Sequence, residues 1–175
     1  MNNTIETLKS RRSIRSYAPK QIATNELNLI LDAGMYAPSG MGRQSVTMVV
    51  VQDASLIAQL STMNAHLMGK DIDPFYGAPT VIIVFSDPDS GTITPVEDGS
   101  LVMGNLMNAA TSLGIGSCWI HRAKQEFDSE EGKKLLADWG LPERYIGIGH
   151  CVLGYPANES PAPAARKNNF IIFAK

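Results

Sequence analysis

The sequence predicts a three-layer domain, α+β or α/β, in which helices cover a central sheet. Three observations carry this. Helical and strand-like segments alternate along the chain. Most strand-like runs, VTMVVV and TVIIVF among them, are apolar at almost every position, so both of their faces need cover. The 175 residues, 44% hydrophobic and 18% charged, suit a single globular domain with a core of its own.

The elements follow in order. Asn3 with Glu6 reads as a capping box that opens a first helix, with Ile5 and Leu8 on one face. That helix is expected to end near residues 10–12, where RRSIRSY (11–17) begins. Thr24 caps a second helix; Leu27, Ile30, Leu31 and Gly34 keep helical spacing, and Pro38 marks its end. APSGMGRQS (37–45) is a loop by its Pro, Ser and Gly content. VTMVVVQD is a strand expected to be buried on both faces. A third helix spans about 54–68, with Ile57, Leu60 and Leu67 as its stripe and Asn64 on that same stripe.

DPFYGAP is a loop and TVIIVFSD a second buried strand. Thr94, Pro95 and Glu97 supply a capping threonine, a first-position proline and a third-position acid for a fourth helix. From Leu101 to Leu113 that helix carries no charge, so it is expected to be the buried central helix, ended by Gly114. GSCWI is a strand, DSEEGKKLLADWG a surface helix capped by Asp128, and YIGIGHCVLGYP a last strand. The tail ANESPAPAARKNNFIIFAK joins a Pro/Ala-rich connector to a short β-like run, NFIIF, whose apolar side chains need a place to pack.

Net charge is −2, so no global field draws the chain to nucleic acid or anionic membrane. An anionic partner must then meet a local cluster. RRSIRSY, with Arg11, Arg12 and Arg15, is the densest basic one. Composition alone favours a solvated patch there, because the C-terminal end of a helix is negative and welcomes arginine. The patch is short and has only Tyr17 as an interleaved aromatic, which argues against nucleic-acid binding. No run approaches the length of a transmembrane helix, and the first residues show no apolar leader core, so a cytoplasmic location is expected. Cys118 and Cys151 sit in apolar stretches outside any CxxC or metal spacing, which reads as buried free thiols in a reducing compartment.

Motifs for protein-borne chemistry are missing. GIGSCW fails GxGxxG at its third glycine, and neither a phosphate-binding GxxxxGK[ST] loop nor a GxSxG elbow occurs. His66, His121 and His150 are scattered, without a carboxylate at ligand spacing, so no metal site is expected. Glu97 and Asp98 read as an acidic first turn rather than an acid/base pair. An enzyme of this composition would rely on a cofactor.

Six segments in order, RRSIRSY, APSGMGRQ, YGAP, LGIGSCWI, GYP and ARK, resemble the nitroreductase family of FMN-dependent oxidoreductases over essentially the whole chain. The resemblance implies an α+β three-layer sandwich with a mostly antiparallel central sheet flanked by helices. It implies an obligate homodimer with a swapped tail: residues 1–160 form the FMN-binding domain, and 161–175 an arm packing on the partner subunit. Two FMN sites would lie at the interface. Hydride would pass from NAD(P)H through the flavin to a nitroaromatic, quinone or activated alkene. A rival of another class is a flavin-binding storage or sensor module without significant turnover.

Site residues are implied in the same way. Arg11 and Ser13 hold phosphate and ribityl groups, with Arg12 alongside; the planar fork of arginine suits phosphate. Arg15 reaches the pyrimidine edge of the flavin, which gains negative charge on reduction. Pro38, Ser39 and Gly40 match a loop that contacts the flavin from the partner. Gly42 departs from a frequent asparagine, and Ser45 and Val46 from a frequent proline-tryptophan. Asn64 is placed against the flavin, with an exposed stripe edge or a structural bond to backbone as the equal alternative. Trp119 and Ile120 match the flavin-N5 side, with plain core strand residues as the equal alternative. Arg166 matches a tail arginine that closes on the phosphate, while Lys167 is taken as solvated. Phe75 and Tyr76 are candidates for covering the substrate, or loop packing. No protein residue need act as acid or base.

Overall fold

The computed structural model of the chain describes residues 3–160 and 162–174. Helix α1 (Asn3–Ser10) and α2 (Thr24–Met35) precede strand β1 (Val46–Val51). Then come α3 (Ala54–Met68), β2 (Thr80–Ser86), α4 (Pro95–Ser112) and β3 (Gly116–Ile120). Two short helices, α5 (Ala123–Phe127) and α6 (Glu130–Asp138), lead to β4 (Ile146–Gly154).

The four strands form one antiparallel sheet in the order β1-β2-β4-β3. The centre of the sheet follows from β2. All seven of its residues are buried, and they alternate between two cores. Val81, Ile83 and Phe85 join Leu60, Phe127 and Leu136 beneath α3, α5 and α6. Ile82 and Val84 join Ile30, Val102 and Leu106 beneath α2 and α4. Helices on both faces therefore give the three layers expected, and each large aliphatic side chain so buried contributes about 1.5–3 kcal/mol.

Five local expectations change. Strand β1 is half-buried rather than covered on both faces, because it lies at the edge of the sheet and Val50 is exposed. The cap of α2 is Ala23, whose N–H donates to the Glu26 carboxylate at 3.1 Å; Thr24 is the first helical residue. Helix α6 is capped by Ser129, which accepts from Gly132 N–H at 3.1 Å, and Asp128 instead ends α5. Helix α4 buries Val102, Met103, Leu106 and Ala110 but leaves Leu101 exposed and Gly104 and Asn108 half-buried, so one face has no full cover among the described residues. The NFIIF run forms no strand, and Phe170 to Phe173 are exposed.

Candidate functional site

Leaving α1, residues 11–17 run as extended chain along the outer edge of β3. Ser13 bridges Ser117 in parallel, Ile14 N–H donates to Ser117 O at 2.9 Å, and Tyr17 bridges Pro156. Extended chain alternates its side chains, which puts Arg11, Ser13 and Arg15 on one side. All three stand close to the buried Cys118 thiol. Burial pushes that thiol up, while Arg15, a Ser13 hydrogen bond and Arg11 oppose the rise. Neither Arg11 nor Arg15 pairs with a carboxylate among the described residues. Two guanidiniums flanking a hydroxyl, with no acid to neutralise them, suit a phosphate and a polar chain.

Arg12 is set apart from this face. Its Nη1 donates to Lys9 O at 2.9 Å and Arg11 O at 2.6 Å, so the guanidinium closes the carbonyl end of α1. Tyr17 is buried, with its phenol donating to Ile14 O at 2.7 Å, and burial pushes its ionisation up. Arg15 and Tyr76 both lie near enough to influence it.

Asp73 builds the turn that carries the two loop aromatics. Its carboxylate accepts from Phe75 N–H at 2.8 Å, Gly77 N–H at 2.6 Å and the Ser61 hydroxyl at 2.6 Å. Tyr76, at φ +58, stays half-buried and packs against the core cluster that contains Tyr17. Phe75 is fully buried, 5.1 Å from the His150 ring, and is a core residue that cannot cover a substrate.

The strand β3 presents Trp119, half-buried, over Gly149, where an added Cβ would stand 2.3 Å from the indole nitrogen. Ile120 is buried in the core beneath α3, α5 and α6, so only its backbone faces outward chemistry. Asn64 is fully buried and donates to His121 O at 2.7 Å and to the Glu126 carboxylate. Glu126 in turn stands 3.1 Å from His150, within ion-pair distance but out of hydrogen-bond alignment. Asn64 thus bonds backbone and a buried acid, and it ties α3 to the turn after β3. Sequence spacing could not reveal this Glu126–His150 cluster, because its members come from α5 and β4.

The loop after α2 carries Pro38, Ser39, Gly40 and Gly42. A turn of 3-10 helix, Gly40–Gly42, has Met41 at φ +52 and Gly42 at φ +67. Its anchor is Asp98, which the sequence reading assigned only to a helix first turn. The carboxylate is 2% exposed and accepts from Gly40 N–H at 2.8 Å, Ser45 at 2.9 Å, and Thr92 and Thr94 at 3.0 Å each. Burial acts to raise Asp98, but these four donors together hold it below the usual carboxylate value. A cleft of about 570 Å³ opens beside the loop, lined by Tyr36, Pro38, Ser39, Gln44 and Asp98.

The arginine face and this loop do not meet within one chain. Gly40 is held at the N-terminal end of α4 by Asp98, whereas Arg12 and Ile14 share a small crevice with Thr111 and Gly114 at its C-terminal end. The rise from Asp98 to Thr111 is about 20 Å. Arg166 lies on the exposed arm.

The comparisons agree with this architecture. A crystal structure of a nitroreductase with bound FMN from Bacteroides fragilis superposes with a TM-score of 0.90 at 32% identity, covering 100% of both chains. A nitroreductase with bound FMN from Desulfitobacterium hafniense gives 0.87 at 26% identity, again over 100% of both chains. The NAD(P)H-dependent FMN reductase of Bacillus subtilis is 27% identical over 91% of this chain and 68% of its own. A family model described as the Nitroreductase family matches residues 8–155, nearly the full extent of the fold just described, and the chain belongs to that family.

Proposed function

We propose that the chain is an FMN-dependent oxidoreductase that takes hydride from NAD(P)H and passes it to a nitroaromatic, quinone or activated-alkene acceptor. The observation that carries this is the pair Arg11 and Arg15, flanking Ser13 on one side of an extended segment without carboxylate partners. FMN, when bound, supplies the hydride acceptance and donation. Arg11 and Ser13 bind its phosphate and ribityl chain. Arg15 sets a fixed positive charge by the ring's pyrimidine edge, where charge develops. Tyr76, half-buried near Tyr17 at the end of the same segment, would limit access to the ring. The backbone around Trp119 and Ile120 would contribute the N5 side of the site.

Pro38, Ser39, Gly40 and Gly42 join such a site only from a second copy, given the length of α4. An antiparallel pairing of α4 across a two-fold axis brings the loop of one copy to the arginine face of the other. The uncovered α4 face, with Leu101, Gly104 and Asn108, supports that pairing. The arm fits the same dimer. The outer edge of β3 is taken by residues 11–17, and β1 has no strand on its outer side among the described residues. Beside β1 lies an apolar groove lined by Leu29, Met35, Met48 and Val50. Residues 170–173 of a partner would pair there as a strand, and Arg166 would approach the phosphate. No described helix is long and apolar enough to cross a membrane. The two free buried cysteines favour a reducing cytoplasm.

The test is spectral and kinetic. Purified protein should show bound oxidised flavin, bleached anaerobically by NADH or NADPH and restored by a quinone or nitroaromatic. A flavin that stays oxidised with both nucleotides would instead make this a storage or sensor protein.

A further inference from the structure

We infer that Asp98 is the positioning residue of the flavin-facing loop and links that loop to the subunit interface; this rests on the functional reading above. The carboxylate is buried, and every contact it makes is with a group that shapes the loop. Gly40 N–H reaches Oδ1 at 2.8 Å, in the middle of the segment that presents Ser39 and Gly42. Ser45 reaches Oδ2 at 2.9 Å, where the loop enters β1, and Ser86 donates to Ser45 at 3.0 Å from the neighbouring strand. Thr92 and Thr94 reach Oδ2 and Oδ1 at 3.0 Å each from the segment before α4. A single side chain thereby clasps three pieces of chain.

Gly40 fits the clasp closely. A Cβ there would lie 2.2 Å from the Thr94 hydroxyl and 2.9 Å from that of Thr92. Contacts that short do not occur, so the absence of a side chain lets the loop backbone close on the carboxylate. The loop needs such an anchor. Met41 and Gln44 both sit at positive φ, each strained for a residue with a side chain, and most of the segment is exposed. Asp98 is also in the first turn of α4, the helix whose uncovered face would pair with its twin. Association through that face fixes the helix, and the clasp carries the fixed position to the loop. The loop of one copy is then set for the flavin held by the other.

The experiment uses purified full-length protein and three variants, Asp98→Ala, Asp98→Asn and Ser39→Ala. Ser39→Ala tests whether the loop faces flavin at all; its FMN Kd should rise at least threefold. An unchanged Kd there sinks the loop reading on which the inference rests. Asp98→Ala should raise the FMN Kd about tenfold or more, speed trypsin cleavage after the exposed Arg43, and change the visible circular dichroism of FMN at saturation. Asp98→Asn keeps an oxygen for Gly40 N–H, so it should recover most of the Kd and the dichroism while remaining less heat-stable than the parent. If Asp98→Ala melts lower but binds FMN with parental Kd and dichroism, the residue only stabilises the fold and the inference fails. If Asp98→Ala does not fold, Thr92→Val, which removes one of the four donors, carries the same readouts; parental cleavage at Arg43 and parental Kd in that variant overturn the inference.

Discussion

At the scale of single residues, the arginines were legible because charge density is a local property of sequence, whereas their division of labour was not. Alternation along the extended segment separates Arg11 and Arg15 from Arg12, whose guanidinium closes α1. Arg11→Ala should therefore weaken FMN by about 1.5–3 kcal/mol, the usual range for a charge-assisted hydrogen bond, and the protein should purify largely colourless. Titration with FMN checks this, and an unchanged affinity returns Arg11 to the solvated surface. If the Arg15 charge stands by the reduced ring as proposed, Arg15→Ala should instead lower the flavin midpoint potential more than the affinity; a parental potential would refute that role. The cysteines give a third expectation. Burial pushes the Cys151 thiol up to about 12 and raises Cys118 as well. Because the thiolate is the nucleophile, neither should react with a thiol reagent at pH 8 until the protein unfolds, and both should react afterwards. A rapidly titrating thiol in the native protein would contradict this burial.

At the scale of elements, periodicity located α3, the Thr94, Pro95 and Glu97 start signal located α4, and strand composition located β2 and β3, because caps and burial write themselves into the local pattern. Long-range polar pairing writes nothing local. Asp98 looked like a favourable first-turn acid until Gly40 and Ser45 came to it from more than fifty positions away. The Glu126–His150–Asn64 cluster was invisible for the same reason. The short helix α5 that supplies Glu126 is too brief to show a period. Removing Glu126 leaves the fully buried Asn64 without one of its two acceptors, so Glu126→Ala should cost about 1–3 kcal/mol, read from denaturant unfolding. A loss below about 0.5 kcal/mol, within the range of ordinary surface changes, would mean that the cluster relaxes freely. For Asp98 the sign follows from its depressed ionisation. Its folded value lies below the unfolded 3.8, so its stabilisation is fully present above 3.8 and fades as pH falls through the lower folded value. The gap in unfolding free energy between parent and Asp98→Asn should thus hold steady from pH 7 to 5 and narrow only in stronger acid.

At the scale of the whole molecule, a single chain leaves three things unfinished: one face of α4, the outer edge of β1, and the arm. For the first two, the sequence predicts a buried central helix and a strand buried on both faces, more cover than one chain gives, because an apolar segment reads the same whether its own chain or a second copy covers it. The arm is where these threads join. Phe170, Ile171, Ile172 and Phe173 are 68%, 70%, 84% and 86% exposed, and four consecutive large apolar side chains in water are costly unless a partner covers them. If a second copy does, pairing on β1 buries them and carries Arg166 toward the phosphate in the same motion. Dimer formation and FMN retention are then linked, because FMN binds the assembled state and stabilises it by mass action. Deleting residues 161–175 should both loosen the dimer and release FMN, seen together by light scattering and flavin absorbance. Arg166→Ala in the full chain separates the two contributions: it should weaken FMN while leaving the dimer intact. A truncated protein that stays dimeric and fully loaded with FMN would show that α4 alone holds the pair, and would remove Arg166 from the site.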